Sequence, residues 1–227
     1  MNYAHSLLRI FKTSGLVLTL GVSLTACSET TWKEEVLLHD GSKIVVTRSQ
    51  IREGRHEIGQ GAPIKEHSIT FIPTESTKPI TWKDDFSADV GHASLALLAV
   101  EITNGTPYIV TKPTNCAAYN KWSRPNPPYV FFKYVDSQWK QISLTEFPAE
   151  ITKPNVVIST YGHGDVDRAI KSGFVSAANV EELNSGYKQA ELKTILRTPM
   201  SNEWCRQPTS FKAPIPIPPW ENLNAPN

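Results

Sequence analysis

Only three cysteines occur in 227 residues, and none has a second cysteine at ligand spacing. A paired-cysteine metal site and a Cys-x-x-Cys redox motif are thereby excluded. Charge of one sign is also missing, since 23 Lys+Arg stand against 22 Asp+Glu. Such a balance gives no electrostatic pull toward nucleic acid or acidic lipid heads, so nucleic-acid binding is not expected. The chain lacks His-Glu-x-x-His, Gly-x-Ser-x-Gly, a phosphate loop and a dinucleotide fingerprint. Those absences remove the best-marked routes to zinc protease, serine hydrolase and nucleotide chemistry, and no cofactor or metal site is predicted. Long apolar runs are scarce as well. The first of them, over residues 15–24, covers about ten residues, well short of the ~20 that a membrane-spanning helix requires.

That run sits in a telling context. Arg9 and Lys12 precede it, no Asp or Glu occurs before Cys27, and small residues lead into Leu24-Thr25-Ala26-Cys27. A positive start, a short apolar core and a small-residue exit are the parts of an export signal. The last four residues resemble the lipobox read by the bacterial lipoprotein signal peptidase. The resemblance implies removal of residues 1–26 and acylation of Cys27 as the first mature residue. The competing reading is an ordinary secretory signal that ends beside a cysteine. Each buried methylene contributes about 0.8 kcal/mol and one chain anchors only marginally, so the resemblance implies several acyl chains on Cys27. Ser28, not Asp, follows. Similarity to enterobacterial sorting rules then implies the outer membrane with the globular part in the periplasm, the inner membrane being the alternative.

Cutting before Cys27 removes two positive charges from a chain of formal net charge +1, leaving −1. About two hundred residues remain, enough for one domain with its own core or two small ones. Cys116 and Cys205 would then lie in an oxidising compartment, where a disulfide between them is expected. It would close a loop of roughly ninety residues, worth about 4 kcal/mol on the chain-entropy account. The alternative is two buried, unpaired thiols.

Residues 27–160 read as a β-rich domain built from successive hairpins. Two strand-like runs flank Asp40-Gly41, and two more flank Asn104-Gly105, both favoured tight-turn pairs. Further pairs flank a polar turn at residues 74–77 and Asp136-Ser137. Val156-Val157-Ile158 looks like another strand. The pattern predicts a mainly β fold, an antiparallel meander arranged as a sandwich, a barrel or part of a propeller. A faint echo, Thr31-Trp32-Lys33-Glu34-Glu35 against Thr81-Trp82-Lys83-Asp84-Asp85, recurs after about fifty residues. Two copies are too few for a repeat, and shared strand chemistry or chance explains them.

Residues 161–213 read as a small helical part packed on the same domain. A helical turn is predicted over residues 165–171, a helix capped by Ser176 and ended near Gly186, and another through Leu192, Ile195 and Leu196. Residues 214–227 form a Pro-rich tail.

Two places bear on chemistry. Tyr161-Gly162-His163-Gly164-Asp165-Val166-Asp167 brings His163, Asp165 and Asp167 into one loop, where they could hold a hard cation or supply a general base. The plainer reading is a turn in which Asp165 caps the following helix. Residues 123–129, Ser-Arg-Pro-Asn-Pro-Pro-Tyr, form a stiff loop in which Trp122 and Tyr129 either line a binding surface or pin the loop onto the core. His39, His56, His67 and His92 read as surface or packing residues.

Several runs resemble a family of small proteobacterial lipoproteins without an assigned activity. They are Trp32-Lys33-Glu34-Glu35-Val36, Ile80-Thr81-Trp82-Lys83-Asp84-Asp85-Phe86, residues 119–129 and Glu146-Phe147-Pro148-Ala149-Glu150. The resemblance reaches to about residue 160. It implies a cell-envelope location and carries over no functional residue. The leading expectation is a non-catalytic module, held on the membrane through Cys27, that binds an envelope protein or glycan or adjusts an assembly. On that expectation no group titrates abnormally in a deep pocket. The rival is an envelope hydrolase or metal-dependent enzyme using His163, Asp165 and Asp167.

Overall fold

A computed structural model describes residues 28–54, 61–74, 76–159, 164–201 and 204–205 of the chain. Cys27 and His163 lie outside the described residues, as does the side chain of Asp165. All four predicted hairpins are present. The first joins β1 (Ser28–Leu37) to β2 (Lys43–Arg52), with Gly41 at φ 85° in the turn. The second joins β3 (Ile64–Phe71) to β4 (Ile80–Asp84). After the short pair β5 (Phe86–Ser87) and β6 (His92–Ala93), β7 (Leu95–Thr103) turns into β8 (Thr106–Pro113). Asn104 and Gly105 sit at φ 50° and 71°, the left-handed pair that a two-residue turn demands. Beyond α1 (Cys116–Lys121), β9 (Val130–Val135) and β10 (Gln138–Ile142) make the fourth hairpin.

Two antiparallel sheets result. One has the order β4-β3-β2-β1, extended at its β1 edge by β11 (Phe174–Val175), which pairs parallel. The other has the order β10-β9-β8-β7. The fold is mainly β and sandwich-like. Alternation sets the packing: β4 reads buried-exposed-buried-exposed-buried, the mark of a sheet with one wet face. Val36, Val46, Ile69, Phe71 and Trp82 of the first sheet meet Leu97, Val100, Ile109 and Val130 of the second. β8 is buried along nearly its whole length because its other face is covered too. There Val110 and Phe131 pack with Phe147, Ile151, Leu192 and Ile195. A bulge between Leu97 and Ala99 turns Leu98 and Ala99 both toward that second core.

The C-terminal part carries α2 (Gly164–Lys171), α3 (Ala177–Ser185) and α4 (Ala190–Lys193). Ser176 caps α3 by accepting from the Asn179 backbone N–H, as the sequence predicts. A third core joins Val166, Ile170, Val175 and Val180 to Trp32. The helix predicted through Leu196 is shorter than its apolar rhythm. It leaves helical geometry at Thr194, where Ile195 N–H donates to the Thr152 carbonyl (2.8 Å) and Leu196 N–H to the Tyr129 hydroxyl (3.3 Å).

Residues 156–158 form no strand and join no sheet, unlike the strand predicted there. Each of the three side chains enters a different core: Val156 the first, Val157 the third, Ile158 the second. Their backbone groups are satisfied by side chains instead of by a strand. Val157 N–H donates to Glu34 Oε2 (3.0 Å), and its carbonyl accepts from Arg48 Nη1 (3.3 Å). Asn184 brackets the segment, accepting from Ile158 N–H and donating to the Val156 carbonyl. Tyr187 donates its hydroxyl to the Ile158 carbonyl (2.8 Å). Buried backbone groups need partners, and side chains supply them for five of the six N–H and C=O groups of this segment.

The predicted disulfide is formed. Cys116 and Cys205 lie 5.6 Å apart at Cα, tying the start of α1 to the end of the described chain across 89 residues.

Candidate functional site

A broad concavity opens at the far end of β1. It has a volume of about 520 Å³, and its walls include Leu37 and Leu38, the segment from Glu150 to Asn155, and one side of α3. That size falls in the range that accepts a small ligand or a short stretch of polymer.

Its most organised polar feature is a histidine–carboxylate pair. Leu38 enters the first core and closes the strand, which leaves His39 at the head of the Asp40-Gly41 turn. From there His39 Nδ1 lies 2.9 Å from Glu101 Oε2, and the His39 backbone N–H donates to the same oxygen (3.2 Å). Asn155 Nδ2 donates to the other oxygen (3.0 Å), so both carboxylate oxygens are held. Asn155 also ties down β7, accepting from Val100 N–H (2.9 Å) and donating to the Leu37 carbonyl (3.1 Å). Burial pushes the Glu101 carboxyl up from its ordinary pKa, an effect that His39 opposes. The hydrogen bond to Glu101 holds the His39 imidazole above its ordinary value.

This pair orients a histidine at a cleft, the arrangement a general base uses. Three acids (Glu101, Glu150, Glu181) are matched by His39, Lys153 and Lys193, so the cleft selects for polarity without favouring either charge.

Of the loop residues singled out by sequence, Asp167 alone has a described side chain, and Trp122 and Tyr129 lie elsewhere in the fold. Asp167 is exposed on α2, while Val166 and Ile170 hold that helix to the third core. Trp122 is half-buried against the first core, with Nε1 donating to Ser94 Oγ (3.0 Å) and its ring edge-on to Phe132. The Tyr129 hydroxyl is buried, lies 3.0 Å from the carbonyl oxygens of Glu191 and Thr194, and has its pKa raised by burial. Both aromatic side chains thus pin the proline-rich loop onto the core, and neither borders this cleft. Among the described residues no group of three or more His, Cys, Asp or Glu has the arrangement to hold a metal ion, and no helix is long and apolar enough to cross a membrane.

The His39–Glu101 pair escaped sequence reasoning because 62 residues separate its members. The one available signal was His39 beside a tight turn. One expectation is also corrected: Lys112, buried beside a second cavity, has its pKa lowered by burial to about 8. An abnormally titrating group does therefore occur in a deep pocket. Comparison with protein-family models, curated proteins and solved structures found no match to this chain.

Proposed function

We propose that the chain is a bacterial lipoprotein, anchored through acyl chains on Cys27, that presents the His39 cleft to a polar envelope partner such as a protein segment or glycan. One observation carries the reading. β1 begins at Ser28, the residue after the lipobox cysteine, and runs unbroken to Leu37 at the cleft wall. Ten extended residues span roughly 30 Å at about 3.3 Å each. The anchor and the cleft would then occupy opposite ends of one strand, with the opening turned away from the bilayer. The Cys116–Cys205 disulfide supports an oxidising compartment, the periplasm on this reading, with the outer membrane favoured by Ser28. The mixed charge of the cleft supports a partner that is polar but without strong net charge.

The test has two arms. Replacing Cys27 by Ser is expected to move the protein from the membrane fraction to the soluble fraction, and unaltered fractionation would sink the anchor. In vesicles, a fluorophore at Lys153 should escape quenching by labelled lipid headgroups while one at Glu29 is quenched. The reverse order would sink the orientation.

An enzymatic reading finds its support in the His39–Glu101 geometry. His39→Gln separates the two, since it should leave partner binding within a few-fold of wild type if the cleft only binds. Loss of a turnover with intact binding would instead make His39 a general base.

A further inference from the structure

A second cavity, of about 80 Å³, lies at the opposite end of β2 from the cleft, between the two sheets. It has room for several waters, and so for an anion of four or five heavy atoms. Its wall holds Arg48, Gln50, His67, Lys112 and Ser159 with apolar side chains such as Leu97, and no carboxylate. Arg48 is 1 % exposed, His67 4 % and Lys112 8 %.

The acids that balance these groups do not line the cavity. Glu34 holds Arg48 Nη1 (3.1 Å), and Asp84 stands 3.8 Å from His67 Nε2. Glu191 lies 4.0 Å from the Lys112 ammonium, a loose pairing for so buried a cation. The Trp204 ring covers the same ammonium at 3.6 Å. Two lining nitrogens have no partner: Arg48 Nε, an obligate donor, and His67 Nδ1. His67 Nε2 is engaged 2.7 Å from the Leu95 carbonyl, so the ring is oriented with Nδ1 as its remaining polar atom. A buried donor left unmade costs about 1–3 kcal/mol, more when it is charged. A guanidinium with one unmade N–H, a buried ammonium and an unpartnered ring nitrogen therefore belong to residues that line one cavity without an acid in its wall.

We infer that this cavity is a binding site for a small oxyanion, a carboxylate or an inorganic oxyanion, held by the Arg48 Nε–H and the Lys112 ammonium, with His67 Nδ1 beside it as an acceptor for any hydroxyl the anion carries. The anion supplies acceptors for the unpartnered donor and the second negative charge that Glu191 only loosely provides.

The test uses the full chain in detergent, with sodium acetate and inorganic phosphate as separate probes and sodium chloride at matched ionic strength as control. Saturable binding is expected for at least one oxyanion, with a rise in melting temperature absent in chloride. The probe that binds distinguishes the carboxylate from the inorganic source. Lys112→Met should weaken that binding at least tenfold, with its own melting temperature in chloride as the baseline from which the oxyanion-dependent rise is read. The ¹⁵N shift of His67 Nδ1 in the wild-type protein gives a readout that needs no variant, and should move with the same saturation curve. Equal melting in all three salts, an unmoved His67 signal, or crystals soaked in both probes that show only water in the cavity would overturn the site.

Discussion

Glu34 is the residue on which most of the interior polar order converges. Fully buried, it accepts from Trp32 Nε1 (2.6 Å), from Arg48 Nη1 and from Val157 N–H. Removing one member of a buried ion pair strands the other, at a cost of about 3–5 kcal/mol. Glu34→Leu is therefore expected to lower unfolding free energy in urea by that amount. Adding Arg48→Met should recover part of the loss, because the stranded cation is then gone. At the cleft, the raised pKa of His39 fixes a sign. A group that binds its proton more tightly when folded contributes stability that is complete below the unfolded value of about 6.5 and is lost as pH rises through the folded one. Glu101, also raised, acts in the same direction from its ordinary 4.5 upward. The urea midpoint should fall between about pH 6 and 7.5, a window below the opposing step of Lys112 near 8, and fall less in His39→Gln. A midpoint equally pH-dependent in both proteins would contradict this assignment. At this scale little was legible in the sequence. The Trp-Lys-acid echo is the exception, and it turns out to be shared strand chemistry. Trp32 and Trp82 face inward, and Glu34 and Asp84, two residues on, each accept a buried backbone N–H, from Val157 and from Leu95.

Among the elements, the hairpins were legible because each carries its own instructions, alternating apolar residues and a turn pair whose backbone preferences are local. The β9–β10 turn is the weakest of these, since Asp136 and Ser137 sit at φ 53° and 62° without a glycine. Ser137→Gly removes the steric cost of that geometry and is expected to stabilise the protein by about 0.5–1 kcal/mol, read as an increase in urea midpoint at unchanged slope. No gain would mean that the turn side chains contribute more than their strain costs. Three other features stayed hidden for physical reasons. β11 is two residues long and pairs parallel with β1, so neither alternation nor a turn announces it. Residues 156–158 are apolar at every position because they serve three cores, which mimics a buried strand. The rhythm of Leu192, Ile195 and Leu196 fits a helical face, but tertiary partners at Thr152 and Tyr129 draw the last two residues out of it.

For the whole molecule, the mainly β, sandwich-like character was readable from the hairpin pattern, and the cysteine pairing from the expectation of an oxidising compartment. The position of the cleft was not, because it depends on β1, β7, residues 150–155 and α3 arriving together. The disulfide ties α1, which flanks the second sheet after β8, to the far end of the described chain. Replacing both Cys116 and Cys205 by Ala should cost about 4 kcal/mol in the chain-entropy account, measurable as a lower melting temperature under non-reducing conditions. Loss of less than about 1 kcal/mol would mean that the unfolded chain gains little freedom from an open loop. The proposed orientation of the molecule depends in turn on whether acyl chains are attached to Cys27, one residue before β1. Intact-mass analysis of protein isolated from its host membranes tests this most directly. Cys27 at the amino terminus, carrying acyl chains, is the predicted result, and a chain that retains residues 1–26 or begins with an unmodified amino acid would contradict it.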